Sequence, residues 1–218
     1  MNQLNHISIL IHQEEFLLHP LRFVFRPKDK SLICADIHIG KGSHFRKNGI
    51  AIPRLVNKNN FWNLAAAFEL FEPDHFVVLG DMVHSSENEE WSDMSDFLDN
   101  YPGMSRTLIR GNHEIEHDRL YEKMGFDVSA SFRKDGFAFL HDETDRLEED
   151  AFIFSGHIHP AVSLYGQGRQ HLKVACFWLK PDGLVLPAFG TFTGSAAIRP
   201  KKSDRIFAVT DETIIEIK

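Results

Sequence analysis

Residues 31–41 read SLICADIHIGK. The apolar run at their start reads as a buried strand, and it passes through Asp36-Ile37-His38 into a loop opened by Gly40 and Lys41. On an extended backbone, side chains two apart point the same way. The Asp36 carboxylate and the His38 imidazole are therefore expected to converge at the strand's end. That pair is half a metal site, and each later strand can be searched for a further donor aimed at the same place.

Working outward, His6–His12 and Phe16–Leu18 predict a hairpin turning at Gln13-Glu14-Glu15, with Leu21–Arg26 extending that sheet. Pro53 is placed to start a helix whose apolar face is Phe61, Leu64, Ala65 and Phe68, at i, i+3, i+4 and i+7, and Pro73 ends it. His75–Leu79 is a second buried strand leading into Gly80-Asp81-Met82-Val83-His84. A helix carrying Trp91, Met94 and Leu98 follows, stopped by Tyr101-Pro102-Gly103. Thr107–Ile109 runs into Arg110-Gly111-Asn112-His113-Glu114, and a short helix near Asp118–Met124 closes at Gly125. Phe137–Leu140 ends at His141, and Phe152–Phe154 at Gly156-His157-Ile158-His159-Pro160. Strand, helix, strand, helix, strand is the pattern of an α/β layered fold. From His171 onward the segments Leu172–Leu179, Gly183–Leu186, Arg205–Thr210 and Thr213–Ile217 read as strands joined by turns, predicting a mostly antiparallel second sheet that closes a sandwich.

Composition bounds the function. The 218 residues, with 25% charged and 43% hydrophobic, are expected to form one domain, 1–218, with a sizeable core. A net charge of −7 argues against a large basic surface, so any grip on nucleic acid must be local. No apolar run is long enough to span a bilayer and no signal sequence is evident, so a cytoplasmic protein is expected. The two cysteines, Cys34 and Cys176, sit in apolar runs and are expected to be buried, inert thiols.

Five strand ends carry a metal donor: Asp36 with His38, Asp81, Asn112, His141, and His157 with His159. Each residue alone would be an ordinary turn former, helix cap or structural histidine. Their joint occurrence at the exits of apolar strands, where layered sheet proteins build sites, points to one centre. Seven donors with one carboxylate shared make two sites of four, open to water and substrate. Oxygen and nitrogen donors without a thiolate suit manganese first, then iron or zinc. Two such ions ~3.5–4 Å apart activate a bridging hydroxide and clamp a phosphoryl group for in-line displacement.

DxH at Asp36 and His38, GDxxH at Gly80–His84, GNHE at Gly111–Glu114, the single His141, and GHxH at Gly156–His159 resemble the ordered motifs of the calcineurin-like metallophosphoesterases. The resemblance implies a four-layer α/β/β/α sandwich of two mixed sheets flanked by helices. It implies a first metal on Asp36, His38, Asp81 and His159, with Asp81 bridging to a second completed by Asn112, His141 and His157. His113 would contact the phosphoryl oxygens and protonate the leaving alkoxide. Glu114, where most members have Asp, either orients His113 or only starts a helix. Ala35–Pro53, Leu79–Ser85 and Cys176–Gly194 resemble one subfamily, the bacterial ligase-associated DNA damage response endonucleases. That resemblance implies a DNA substrate and a functional association with a DNA ligase and helicase.

Lys41, His44, Arg46 and Lys47 follow the first motif and could meet flanking phosphates, or be a solvated loop. His84 is expected near the metals but not bound to them, as a contact to the substrate or to a metal ligand. Arg199, Lys201 and Lys202 read as a solvated charge run. Phe189 and Phe192 could stack on bases, though core packing is the default in a chain with 19 phenylalanines. Two further functions stay open: a small-molecule phosphoesterase, acting on a cyclic nucleotide or a nucleotide-linked lipid precursor, and a non-catalytic binding subunit. The sequence leaves oligomeric state open.

Overall fold

Alternating side chains build two cores, one on each face of a central sheet. The structure, a computed structural model, describes residues 6–40, 55–83, 89–112, 118–145, 151–165, 171–191 and 193–217. Strands β1 (Ile7–Ile11), β2 (Glu14–His19), β3 (Phe23–Arg26) and β4 (Ser31–Cys34) form an antiparallel meander. Three crossovers through α1 (Leu55–Phe71), α2 (Glu89–Leu98) and α3 (Asp118–Lys123) then add β5 (His75–Leu79), β6 (Ser105–Ile109) and β7 (Phe126–Ser129), all parallel to β4. The order along the sheet is the order in the chain.

The second sheet holds β8 (Phe132–Lys134), β9 (Phe137–Phe139), β10 (Phe152–Ser155), β11 (Pro160–Tyr165), β12 (His171–Lys180), β13 (Gly183–Val185), β14 (Ala196–Ala197), β15 (Arg205–Val209) and β16 (Ile214–Ile217). Five of its eight pairings are antiparallel, but β9–β10 and β10–β13 are parallel. That parallel centre decides where His141, His157 and His159 emerge, since parallel strands all exit at one end.

On β4, Leu32 and Cys34 face the helices while Ile33 faces the second sheet. The helix-side core joins Phe23, Phe76, Val78 and Leu108 to Leu64, Phe68, Met94 and Leu98. The inter-sheet core joins Ile33, Val77, Leu79 and Ile109 to Phe139, Phe154, Phe177 and Phe207. Both thiols are buried, and burial pushes Cys34 well above its ordinary pKa and Cys176 up to about 12. Phe189 packs in the helix-side core rather than at a rim. Arg199, Lys201 and Lys202 are exposed, as a solvated run should be.

Several expectations shift. The first hairpin turns at His12 and Gln13, both at positive φ, so Glu14 and Glu15 are already in β2. On α1 the buried face is Asn60, Leu64, Ala67 and Phe68, and Ala65 lies beside it. Strands β7, β8, β11 and β14 carry little sequence signal. β11 begins on a proline, which reads as a break but is tolerated at a strand's first residue. The described α-helices all belong to the first sheet's crossovers, and a 3-10 turn, Glu143–Asp145, lies against β10.

His19 makes the fold's stability depend on pH. It is fully buried, stacked on Phe23 at 4.5 Å, and its Nδ1 accepts the Leu21 N–H at 3.2 Å. Burial, with a smaller push from His6, lowers its pKa from 6.5 to about 4. Between those values the unfolded chain binds the proton and the folded one does not, so stability falls as pH falls through this window. The loss expected by pH 4 is roughly 3 kcal/mol. His19→Asn keeps an acceptor near Leu21 N–H and removes the titration. Urea unfolding in chelator at pH 7, 5.5 and 4.5 should give a smaller pH slope for the variant, and equal slopes would rule His19 out as the cause.

Candidate metal centre

The ends of β4, β5, β6, β9 and β10 bring all seven expected donors to one place. The backbone does this by a different route from the one expected. β4 stops at Cys34, and Asp36 and His38 lie beyond it in the left-handed region, at φ 54° and 49°. Asp81, His157 and His159 are left-handed too, at 49°, 65° and 51°. The chain is held in this curl by flanking segments: Asp36 N–H donates to Gly80 O at 3.1 Å, His38 N–H to Asp81 O at 3.0 Å, and Ile39 N–H to Met82 O at 2.9 Å. Asp36 and His38 turn to the site while Ile37 and Ile39 stay in the helix-side core. Positive φ in residues other than glycine costs energy and clusters at functional sites.

Asp36 is fully buried. Its Oδ2 accepts the His157 backbone N–H at 2.9 Å, whereas its Oδ1 has no hydrogen-bond partner among the described residues and lies 3.3 Å from His159 Nε2. A buried carboxylate oxygen left in this state is strongly disfavoured unless a cation sits against it. His38 Nε2 and His159 Nε2 are 3.4 Å apart, and His141 Nε2 and His157 Nδ1 are 3.0 Å apart. Two nitrogens holding one ion at about 2.0–2.1 Å lie roughly 3.0–3.4 Å apart for bond angles between a right angle and tetrahedral. Both pairs therefore fit a shared ion each.

Asp81 presents Oδ2 to His38 Nε2 at 3.9 Å and Oδ1 to His141 Nε2 at 3.7 Å, one oxygen to each histidine pair. Two overlapping groups of donors lie within 4.8 Å, Asp36–His38–His159 and Asp36–Asp81–His141, and their common member is Asp36, not the Asp81 expected to bridge. The hydrogen bonds favour Asp81. Asp36 meets His141 through Nδ1, at 4.0 Å, and that nitrogen already donates to Leu79 O at 2.9 Å. The His141 lone pair is thus on Nε2, on the Asp81 side. Asn112 completes the cluster, with its amide 3.4 Å from His157 Nδ1. Which amide atom faces that nitrogen depends only on a flip of the side chain.

Two glycines are required by this packing. A Cβ at Gly80, at φ 76°, would overlap the His141 ring, and one at Gly156 would come 2.5 Å from Asp36 Oδ2. Asp142, absent from the sequence reading, lies 3.5 Å from His157 Nε2. Burial opposes its ionisation, but the Thr144 backbone N–H at 2.9 Å, the Thr144 hydroxyl and the two histidines hold its carboxyl below the usual range. An anion behind a ligating imidazole helps to orient the ring. The Asp-Glu-Thr run after His141 was the only sequence signal, and it reads as a turn. His84, His113, Glu114, Lys41, His44, Arg46, Lys47 and Phe192 lie outside the described residues.

The family model for calcineurin-like phosphoesterases matches residues 30–171. No curated protein matches the chain significantly in sequence. Among solved structures, Pseudomonas putida nuclease MPE superposes with TM-score 0.83 at 22% identity, covering 98% of this chain and 100% of that one. YfcE, a phosphoesterase from E. coli, matches with TM-score 0.45 at 13% identity, over 86% of this chain and 97% of that one. A family match that spans every donor from Asp36 to His159, on a two-sheet sandwich of the same fold as the nuclease, places the chain in the calcineurin-like phosphoesterases, a family of metal-dependent hydrolases.

Proposed function

We propose that the chain, as a single catalytic domain, is a two-metal phosphodiesterase acting on DNA as an endonuclease linked to DNA repair. The observation that carries the two-metal part is the Asp81 carboxylate, whose two oxygens face two separate histidine pairs. Asp36, His38, Asp81 and His159 would hold one divalent ion, and Asp81, Asn112, His141 and His157 the other. Manganese suits the oxygen and nitrogen donors first, with iron or zinc as alternatives, and the nearer thiol, Cys34, is turned into the helix-side core. Bound ions of this kind lower the pKa of water and neutralise charge on a phosphoryl group.

The protein's own part is positioning and proton transfer. Leu79 O fixes the His141 ring, so its lone pair is aimed before any ion arrives, and the Asp142 carboxylate stands 3.5 Å behind His157 Nε2. His113, adjacent to Asn112, would protonate the leaving alkoxide, with Glu114 orienting its ring. Lys41, His44, Arg46 and His84 would hold flanking phosphates. DNA as substrate is supported by the subfamily motifs and by the fold shared with nuclease MPE. A cytoplasmic enzyme working alongside a DNA ligase and helicase accords with that substrate. No helix among the described residues is long and apolar enough to cross a membrane.

The test is a substrate panel with Mn²⁺: a bis-aryl phosphodiester, single-stranded and nicked DNA, a cyclic nucleotide and a nucleotide diphosphate. Cleavage of the aryl diester and DNA is expected. Turnover of the small nucleotides alone would make the chain a small-molecule phosphoesterase, and no turnover of any would leave a binding subunit.

A further inference from the structure

Asn60 is a polar residue on the apolar face of α1, only 4% exposed. Its amide N–H donates to Ile37 O at 3.1 Å, and its Oδ1 accepts the Thr191 N–H at 3.4 Å. Ile37 is the residue between Asp36 and His38. The curl it belongs to is bonded on one side to residues 80–82, and on the other Phe189 N–H donates to Ala35 O at 2.8 Å and Gly190 N–H to Asp36 O at 3.1 Å. Among the described backbone hydrogen bonds, none from either flank goes to the Ile37 carbonyl. Among the described residues, Asn60 is the side chain that reaches it.

From this we infer that Asn60 is a positioning residue for the metal centre: it clamps the left-handed Asp36-Ile37-His38 turn to α1 and to residues 189–191, so that the turn is formed before metal binds. The inference rests on Asp36 and His38 being metal ligands. Two consecutive donors separated by one residue, both at positive φ, need an external restraint to hold that conformation. The Asn60 amide supplies both the donor and the acceptor this place requires. Gly190 fits the same arrangement, since a Cβ there would overlap Ile37 O and push the turn away from Asn60.

The experiment measures Mn²⁺ affinity and thermal stability, not turnover. Asn60→Ala and the bulkier Asn60→Leu should weaken Mn²⁺ binding by about 10–100-fold. The rise in Tm on adding Mn²⁺ should shrink in step, because that rise follows ligand concentration over Kd. Asp36→Ala is the control. Wild-type affinity in both Asn60 variants with loss in Asp36→Ala overturns the positioning role, and a Tm lowered equally with and without metal does the same. Wild-type affinity in Asp36→Ala means the ligand assignment itself has failed. Hydrogen exchange on the wild-type protein needs no variant to fold: the Gly190 and Thr191 amides should be protected in chelator. Protection that arises only with Mn²⁺ would show the metal, not Asn60, forming the turn.

Discussion

Asp81→Asn is expected to cost the protein both divalent ions and to lower phosphodiester turnover roughly a thousandfold, the several kcal/mol a metal centre supplies at about 1.36 kcal/mol per decade. Asp81 is 5% exposed and gives one oxygen to the His38 side and the other to the His141 side. Asparagine keeps the shape but offers a single oxygen and no charge, so at least one side loses its carboxylate outright. The other ion then loses the neighbour that bridges it. Asn112→Ala is the contrast, since Asn112 contacts only the His157 side among the described contacts and should release one ion. Metal analysis by inductively coupled plasma spectrometry on both variants decides the matter. Two ions per chain retained in Asp81→Asn would refute the bridge, and loss of one ion alone would shift the shared carboxylate to Asp36.

The second large effect is the reverse in kind. His113→Ala should lower kcat by about 10²–10⁴-fold while leaving metal content unchanged, the range that general acid catalysis contributes. Asn112, its neighbour, stands at the cluster, and Arg110 holds the exit of β6 by a two-pronged pair with Asp118, at 2.5 and 3.1 Å. The size of the loss should depend on the leaving group. An aryl diester expels a phenolate that needs little help from a proton, whereas DNA expels an alkoxide that does. Rates on both substrates, with metal content, separate the outcomes. An equal loss on the two would point away from proton donation, and lost metal would make His113 a ligand.

The two variants probe different sources of the chemistry, and their comparison bears on how the site is built. Several of its donors are held from behind by other groups of the protein. Leu79 O fixes one imidazole, Asp142 stands behind another, and Asn60 bonds the turn that carries two more donors. Such groups act by removing alternatives, so their loss is expected mainly as weaker metal binding rather than as unfolding.

The seven proposed donors stand out in the chain because each follows an apolar run and all but His141 have a glycine or another of the seven within two positions, and those signals are local. The alternation that sorts Leu32 and Cys34 from Ile33 was local too, and it set two cores on two faces of one sheet. Less of the second sheet could be read, since β8 and β14 have three and two residues and β11 opens on a proline. Asp36 and His38 converge because of left-handed backbone held by partners at 80–82 and 189–190, not because of strand periodicity. Which nitrogen of His141 is free is set by a carbonyl 62 positions away, and the clamp on Ile37 comes from a helix residue 23 positions on. Local pattern determines which residues can be ligands. Which atoms face one another, and so where charge and lone pairs meet, is decided only when distant segments pack, because hydrogen-bond direction belongs to the assembled fold and has no trace in a run of letters.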